Sequence, residues 1–398
     1  MPVDRARRFA LPEKLNKDQD AAMALPLEGQ HLIIGGPGTG KSVVALLRAR
    51  RLAAEKKTYR FLVYNHLLNS SNQHLFGFAE PLVSRTWVQW FRDVYKHIFK
   101  YATPTILQEN PKSSYKPIDW EAVEKASDIQ ARDELPFNES HFLLIDEGQD
   151  MPPQFYATLA DWGLENFYVV ADQNQQLEPD KCSSRQEIEN ALAIDTKDTL
   201  ELKANYRNTR PIAQLAQHFH PADPASPRPD LPDPTPSATA PELWTYGGAT
   251  GQPTLNEIVG RILQMSDRFP RKSIGIITPD NGVREKFYDA IRESNPRLDN
   301  GKPPIQTYAS GQHEPLDFGH GGIMIINAQS CKGLEFDISI LADIDRHKPK
   351  QDIHTLKSRF YVMVARGREQ VILLRTGNPC PVVEGLLPTD STVLVRKE

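Results

Sequence analysis

Cysteine is scarce in this chain. The three thiols, Cys182, Cys331 and Cys380, lie far apart and form no C-x-x-C pair. That argues against both a disulfide framework and a structural zinc site, and a reducing cytoplasm is the simplest compartment. Long apolar runs are missing too: nowhere do about 18 apolar residues follow one another, so no membrane span is expected. The opening "MPVDRARRFALPEK" carries charge but lacks the apolar stretch of a secretory signal. Excess positive charge is also absent, since 47 Lys and Arg face 51 Asp and Glu for a net charge of −4. Any nucleic acid must therefore be held by a local basic groove and not by a polycationic surface. No internal repeat of fixed period is present.

What remains is an ordinary globular balance, 39% hydrophobic and 25% charged over 398 residues, enough for two or three cores. Short apolar runs recur with helical patterns between them. "HLIIG", "RFLVYN", "HFLLIDE" and "NFYVVAD" form one set; "SIGIITP", "GIMIINA", "DISILAD" and "QVILLRT" form a second. They do not alternate strictly, which fits parallel strands covered on both faces by helices. Two such sets predict two α/β domains, over residues 1–200 and 201–398. Residues 87–136 break the alternation with "WVQWFRDVYKHIFKYA" and read as a small helical insertion, its Trp90 and Phe91 best placed in a core. Residues 220–243 are so rich in proline that neither helix nor central strand can form; an extended, semi-rigid surface connection is expected.

The junction "GGPGTGKS", Gly35, Gly36, Pro37, Gly38, Thr39, Gly40, Lys41 and Ser42, fits G-x-x-x-x-G-K-[ST] between a strand and a helix. Glycines let backbone N–H groups turn inward around an anion, and the following helix adds its positive end. Lys41 is expected to reach the outer phosphates of ATP, and the Ser42 hydroxyl to bind Mg²⁺. In "HFLLIDEGQD" an apolar strand ends in two acids. Asp146 is expected to hold Mg²⁺ and Glu147 to deprotonate the attacking water. A kinase or GTPase fits poorly, because no guanine-reading N-K-x-D segment follows a strand.

These boxes occur in an order that resembles the superfamily 1A (UvrD/Rep-like) helicases, over roughly residues 15 to 374. "DEGQD" is similar to that family's D-E-x-Q-D box. "LNKDQDAAM" looks like the Q-motif, which makes Gln19 the adenine reader. "FLVYNHLL" and "SRTWVQWF" resemble the DNA-facing segments, with Asn65, Thr86 and Trp87 as strand contacts. "VVADQNQQL" is similar to motif III, where Gln175 would sense the γ-phosphate after Asp172. "LKANYRNT" matches the N-Y-R box with Arg207 as a phosphate contact. "SCKGLEFDISIL" is similar to motif V, placing Gly333 and Glu335 near phosphate and ribose, and "RFYVMVARGREQVILL" to motif VI, with Arg366 as the arginine finger.

The resemblance implies two RecA-like P-loop NTPase domains and an ATP-dependent, 3′→5′ translocase or helicase on single-stranded or tailed DNA. It also exposes departures. Motif III continues "QQLEPDKCSS" without the base-stacking aromatic, so Trp87 is expected to supply the ring. Motif V has Gln329 where histidine is common, and motif VI has Ala365 where threonine is common. The large insertion of full-length relatives is missing: residues 295–321 are a short loop-rich stretch. A nucleotide-switched subunit of a multi-component complex, such as an anti-phage defence system, with a protein partner and weak or no unwinding, is the second expectation.

Overall fold

The apolar runs pair as two purely parallel sheets. The computed structural model describes residues 15–64, 82–106, 116–129, 141–176, 182–247, 251–308, 321–347 and 353–397. The chain divides into two compact units: Met1–Gly35, Gly40–Leu202 and Pro224–Pro227 in the first, Gly36–Thr39, Lys203–Asp223 and Arg228–Glu398 in the second. The main border falls at Leu202/Lys203, with two short segments exchanged across it.

In the first unit six strands stand in the order β3-β2-β4-β5-β1-β6. They are β1 (Gln30–Gly35), β2 (Thr58–Val63), β3 (Ser84–Thr86), β4 (His141–Ile145), β5 (Asn166–Ala171) and β6 (Leu200–Leu202). Leu32 pairs with Val169 and Leu62 with Ile145, all in parallel. Alternate residues enter different cores. Leu32, Ile34 and Leu62 face Trp90, Phe91 and Phe155, whereas Ile33, Phe61 and Val63 face Val44, Leu46 and Leu52 of the helix after the phosphate loop. The inner ends of the long strands are covered on both faces, which is why the sequence shows no strict polar alternation there.

The second unit has seven strands in the order β13-β7-β12-β11-β8-β10-β9. They are β7 (Glu242–Tyr246), β8 (Ser273–Thr278), β9 (Ile305–Thr307), β10 (Gly322–Asn327), β11 (Phe336–Leu341), β12 (Gly367–Thr376) and β13 (Val395–Lys397). Ile274, Ile276, Ile323, Ile325, Ile338 and Ile340 pack against Ile262, Phe287 and Ile291 of two amphipathic helices. Two parallel-sheet α/β units flanked by helices therefore match the expected fold class, two RecA-like domains.

Within the predicted insertion, helix Trp87–Phe99 is described and buries Trp87, Trp90, Phe91, Tyr95 and Ile98; helix Trp120–Ile129 follows. Phe91 stacks on Trp162 at 5.5 Å, so this aromatic face is core, as its spacing suggested. Residues 220–241 contain no helix or strand. They are not wholly a surface connection, however: Ser226 and Pro229 are buried.

Candidate active site

β1 delivers the chain into the phosphate loop one strand in from the edge of the first sheet, where it pairs with β5 on one side and the edge strand β6 on the other. Helix Lys41–Ala54 begins at once, with Gly40 as its N-cap in the left-handed region at φ 89°. A side chain at Gly40 is excluded twice, by that φ and because a Cβ would lie 2.3 Å from Nε2 of Gln19. Gln19 thus stands against the loop, on helix Lys17–Ala24. Its Oε1 accepts the Asn16 N–H at 3.2 Å, while Asn16 Oδ1 accepts the Gln19 N–H at 2.7 Å, a closed capping box. The far end of this helix is also held. Tyr168 donates its hydroxyl to the Ala22 carbonyl, and Arg48 donates to the carbonyls of Leu25 and Pro26 while lying 4.3 Å over the Tyr168 ring. Burial pushes the Arg48 guanidinium down to about 10.

β4 ends in Asp146 and Glu147. β5 lies between β4 and β1, so the residues after β5 project between the acids and the phosphate loop. Ser42 donates its hydroxyl to Asp146, which brings the two expected Mg²⁺ ligands into contact. Burial, and then the neighbouring Glu147 charge, raise the Asp146 carboxyl to about 6; Ser42 and Lys41 only partly oppose them. Glu147 is buried with φ 56°, a conformation a non-glycine residue adopts at a cost of about 1–2 kcal/mol. Gln149 donates to Glu147 Oε2 at 2.7 Å and accepts the Asp172 N–H on its own Oε1 at 2.9 Å. Asp172 Oδ2 then accepts from Gln175 Nε2 at 2.7 Å and lies 4.0 Å from Lys41 Nζ. Buried Lys41, Asp146, Glu147 and Gln175 and half-buried Ser42 are therefore gathered in one network.

The donor chemistry fits Mg²⁺. Ser42 and Asp146 offer hard oxygens, and the buried Asp146 carboxylate is in want of a compensating cation.

In the second unit the N-Y-R and motif VI boxes are stitched together. Asn208 donates its amide to the carbonyls of Ala365 and Gly367, on either side of Arg366, at 3.2 and 2.5 Å. Arg366 is buried, and its Nε donates to the Val362 carbonyl at 2.9 Å. Arg207 pairs with Glu335 at 2.5 Å. Burial pushes the Glu335 carboxyl up, yet Arg207, Arg368 and Arg366 together hold it below its usual value. Gly333 has φ 75° in the turn before it. Gly36 to Thr39 also fall in this unit: Thr39 donates its hydroxyl to the Gly36 carbonyl, and the Tyr206 N–H donates to the Gly38 carbonyl at 2.9 Å.

The strand contacts fare differently. Asn65 lies outside the described residues. Thr86 is buried at the start of helix Trp87–Phe99, and its hydroxyl donates to Gln89. Trp87 is only 5% exposed, its ring edge-on to Phe155 at 5.3 Å. The ring expected to replace the missing stacking aromatic is thus spent in the core. Two site residues escaped the sequence reading. Tyr206, 62% exposed beside Arg207, is a free aromatic face. Gln149 links the acid pair to Asp172. The signal for both lay inside boxes already recognised, N-Y-R and D-E-x-Q-D, at letters given no role.

Residues 30–220, just under half of the chain, match the family model described as Schlafen group 3, DNA/RNA helicase domain. That segment is helicase-like, and it holds the phosphate loop, the acid pair, the Asp172–Gln175 turn and the N-Y-R box. Among solved structures, the C-terminal domain of a possible DNA helicase from Lactobacillus plantarum WCFS1 is similar at 16% identity and a TM-score of 0.34, covering 48% of this chain and 99% of that one. A likeness at that level carries no functional weight. No curated protein matches the chain.

Proposed function

We propose that the chain is an ATP hydrolase that moves along a single strand of nucleic acid. The observation that carries this is the contact of Ser42 with Asp146, beside a strained Glu147 and a Lys41 facing Asp172. Gln19, against the loop at Gly40, would read adenine, and the Tyr206 ring would stack on the base. Lys41 would leave Asp172 for the β- and γ-phosphates. Mg²⁺ held by Ser42 and Asp146 would neutralise phosphate charge. Glu147 would take the proton of the attacking water, and Gln175, fixed through Asp172, would orient that water. Arg207 and Arg366 would stabilise charge on the transferring phosphoryl group, a contribution worth about 10³- to 10⁵-fold in rate. Cleft closure on ATP and reopening on hydrolysis would give a step along the strand. The 3′→5′ direction follows from the resemblance to superfamily 1A alone.

The buried Trp87 favours a second reading, in which nucleotide state switches a partner protein without unwinding. The steady-state ATPase rate with and without single-stranded DNA or RNA separates the two. The motor reading expects strong stimulation that fades as salt rises. A rate indifferent to either strand would favour the switch.

A further inference from the structure

The proline-rich stretch places one hydroxyl inside the buried network of the first unit. Ser226 is 2% exposed, and its Oγ donates to Asp172 Oδ1 at 2.9 Å. The seat around it is built from three directions. Arg185 donates to the Ala225 carbonyl at 3.3 Å, and Asn174 Nδ2 donates to the Ser226 carbonyl at 3.3 Å. Arg185 is itself fixed by Glu189 and Glu201 at 2.8 and 3.1 Å. The local sequence "PASPRP" suits the task. Pro227 biases Ser226 to extended backbone, and the neighbouring prolines remove conformational freedom that would otherwise have to be lost on docking. Three residues on, Pro229 covers Gly36 of the phosphate loop: a Cβ on Gly36 would lie 2.1 Å from Pro229 Cγ. Ser226 thus makes its contact within the first unit, and Pro229 makes its own within the second.

Asp172 distributes its two oxygens by role. Oδ1 takes the Ser226 hydroxyl and the Asn174 N–H at 3.1 Å; Oδ2 takes Gln175 Nε2 and faces Lys41. Without the hydroxyl, Oδ1 keeps one donor, and the carboxylate is free to turn toward Lys41. That turn would release the Gln175 carboxamide and hold Lys41 back from phosphate.

We propose that Ser226 is a positioning residue for hydrolysis, orienting Gln175 and Lys41 through Asp172. The proposal rests on the ATPase reading above. The expected result for Ser226→Ala is a kcat for ATP about tenfold lower, the factor that one hydrogen bond to a charged group is worth, with the KM for ATP nearly unchanged. Ser226→Thr keeps a hydroxyl and should restore kcat. An unchanged kcat in Ser226→Ala would overturn the proposal. So would an equal loss in Ser226→Ala and Ser226→Thr accompanied by a fall in melting temperature, because the role would then be structural only. Should the native chain hydrolyse no ATP, with or without a strand, the functional reading falls by itself. Amide hydrogen exchange then decides the role of Ser226: faster exchange at Asn174 and Gln175 in Ser226→Ala supports the coupling, and unchanged exchange contradicts it.

Discussion

Two carboxylates, one in each unit, sit in opposite electrostatic situations. Asp146 is buried beside a second acid, and its carboxyl is pushed up to about 6. Glu335 sits among Arg207, Arg368 and Arg366, which hold its carboxyl down although burial acts the other way. The acid edge of the first unit is short of positive charge. The arginine turn of the second unit is already neutralised and holds its cations in place. A phosphoryl-transfer machine needs both kinds of site, one to bind Mg²⁺ and one to deliver arginine charge.

That contrast can be broken at either end. Arg366→Ala should lower kcat roughly 10³-fold while nucleotide still binds, checked by steady-state turnover beside equilibrium binding of a fluorescent ATP analogue. The acid edge should respond in stability. A carboxyl raised above its unfolded value costs stability once pH exceeds that unfolded value, and the full cost is present above the folded value of about 6. Asp146→Asn should therefore stabilise the nucleotide- and Mg²⁺-free chain at pH 7.5 by about 3 kcal/mol in urea unfolding, whereas Glu335→Gln should destabilise it. Equal signs for the two variants would remove the contrast.

A buried histidine sharpens it by having no partner. Among the described residues His347 has no hydrogen bond at either ring nitrogen, and burial, then Arg359, lower it to about 3 against a weaker pull from Asp280. Stability should be complete above the unfolded value of about 6.5 and fall as pH drops toward 3, by about 2 kcal/mol at pH 5. Unfolding of His347→Leu should lack that share of the acid slope. Tyr206→Ala should have the smallest effect: the KM for ATP rises up to about tenfold, with thermal stability unchanged because the ring is exposed.

The long strands were legible in the sequence because each is apolar on both faces; all eight quoted runs are strands β1, β2, β4, β5, β8, β10, β11 and β12. The strands that were not legible are β3, β6, β7, β9 and β13, of three to five residues. Four of these are sheet edges with a single neighbour, and "IQT" and "VRK" bury too little to leave a pattern. The acids, the phosphate loop and the arginines were legible because their chemistry needs fixed spacing. Ser226 was not, for it reaches Asp172 across 54 residues from a stretch whose composition signals only the absence of regular structure. Trp87 was misjudged because a ring at a helix start looks the same in sequence whether it faces solvent or Phe155.

The most direct test of the central claim is a single-turnover comparison of the native chain and Glu147→Gln with radiolabelled ATP and Mg²⁺, scoring bound ATP and released phosphate separately. A buried base held by Gln149 predicts that Glu147→Gln binds ATP like the native chain and releases phosphate about 10²- to 10⁴-fold more slowly. Phosphate release by Glu147→Gln at the native rate would contradict the assignment of the acid edge as the hydrolytic site.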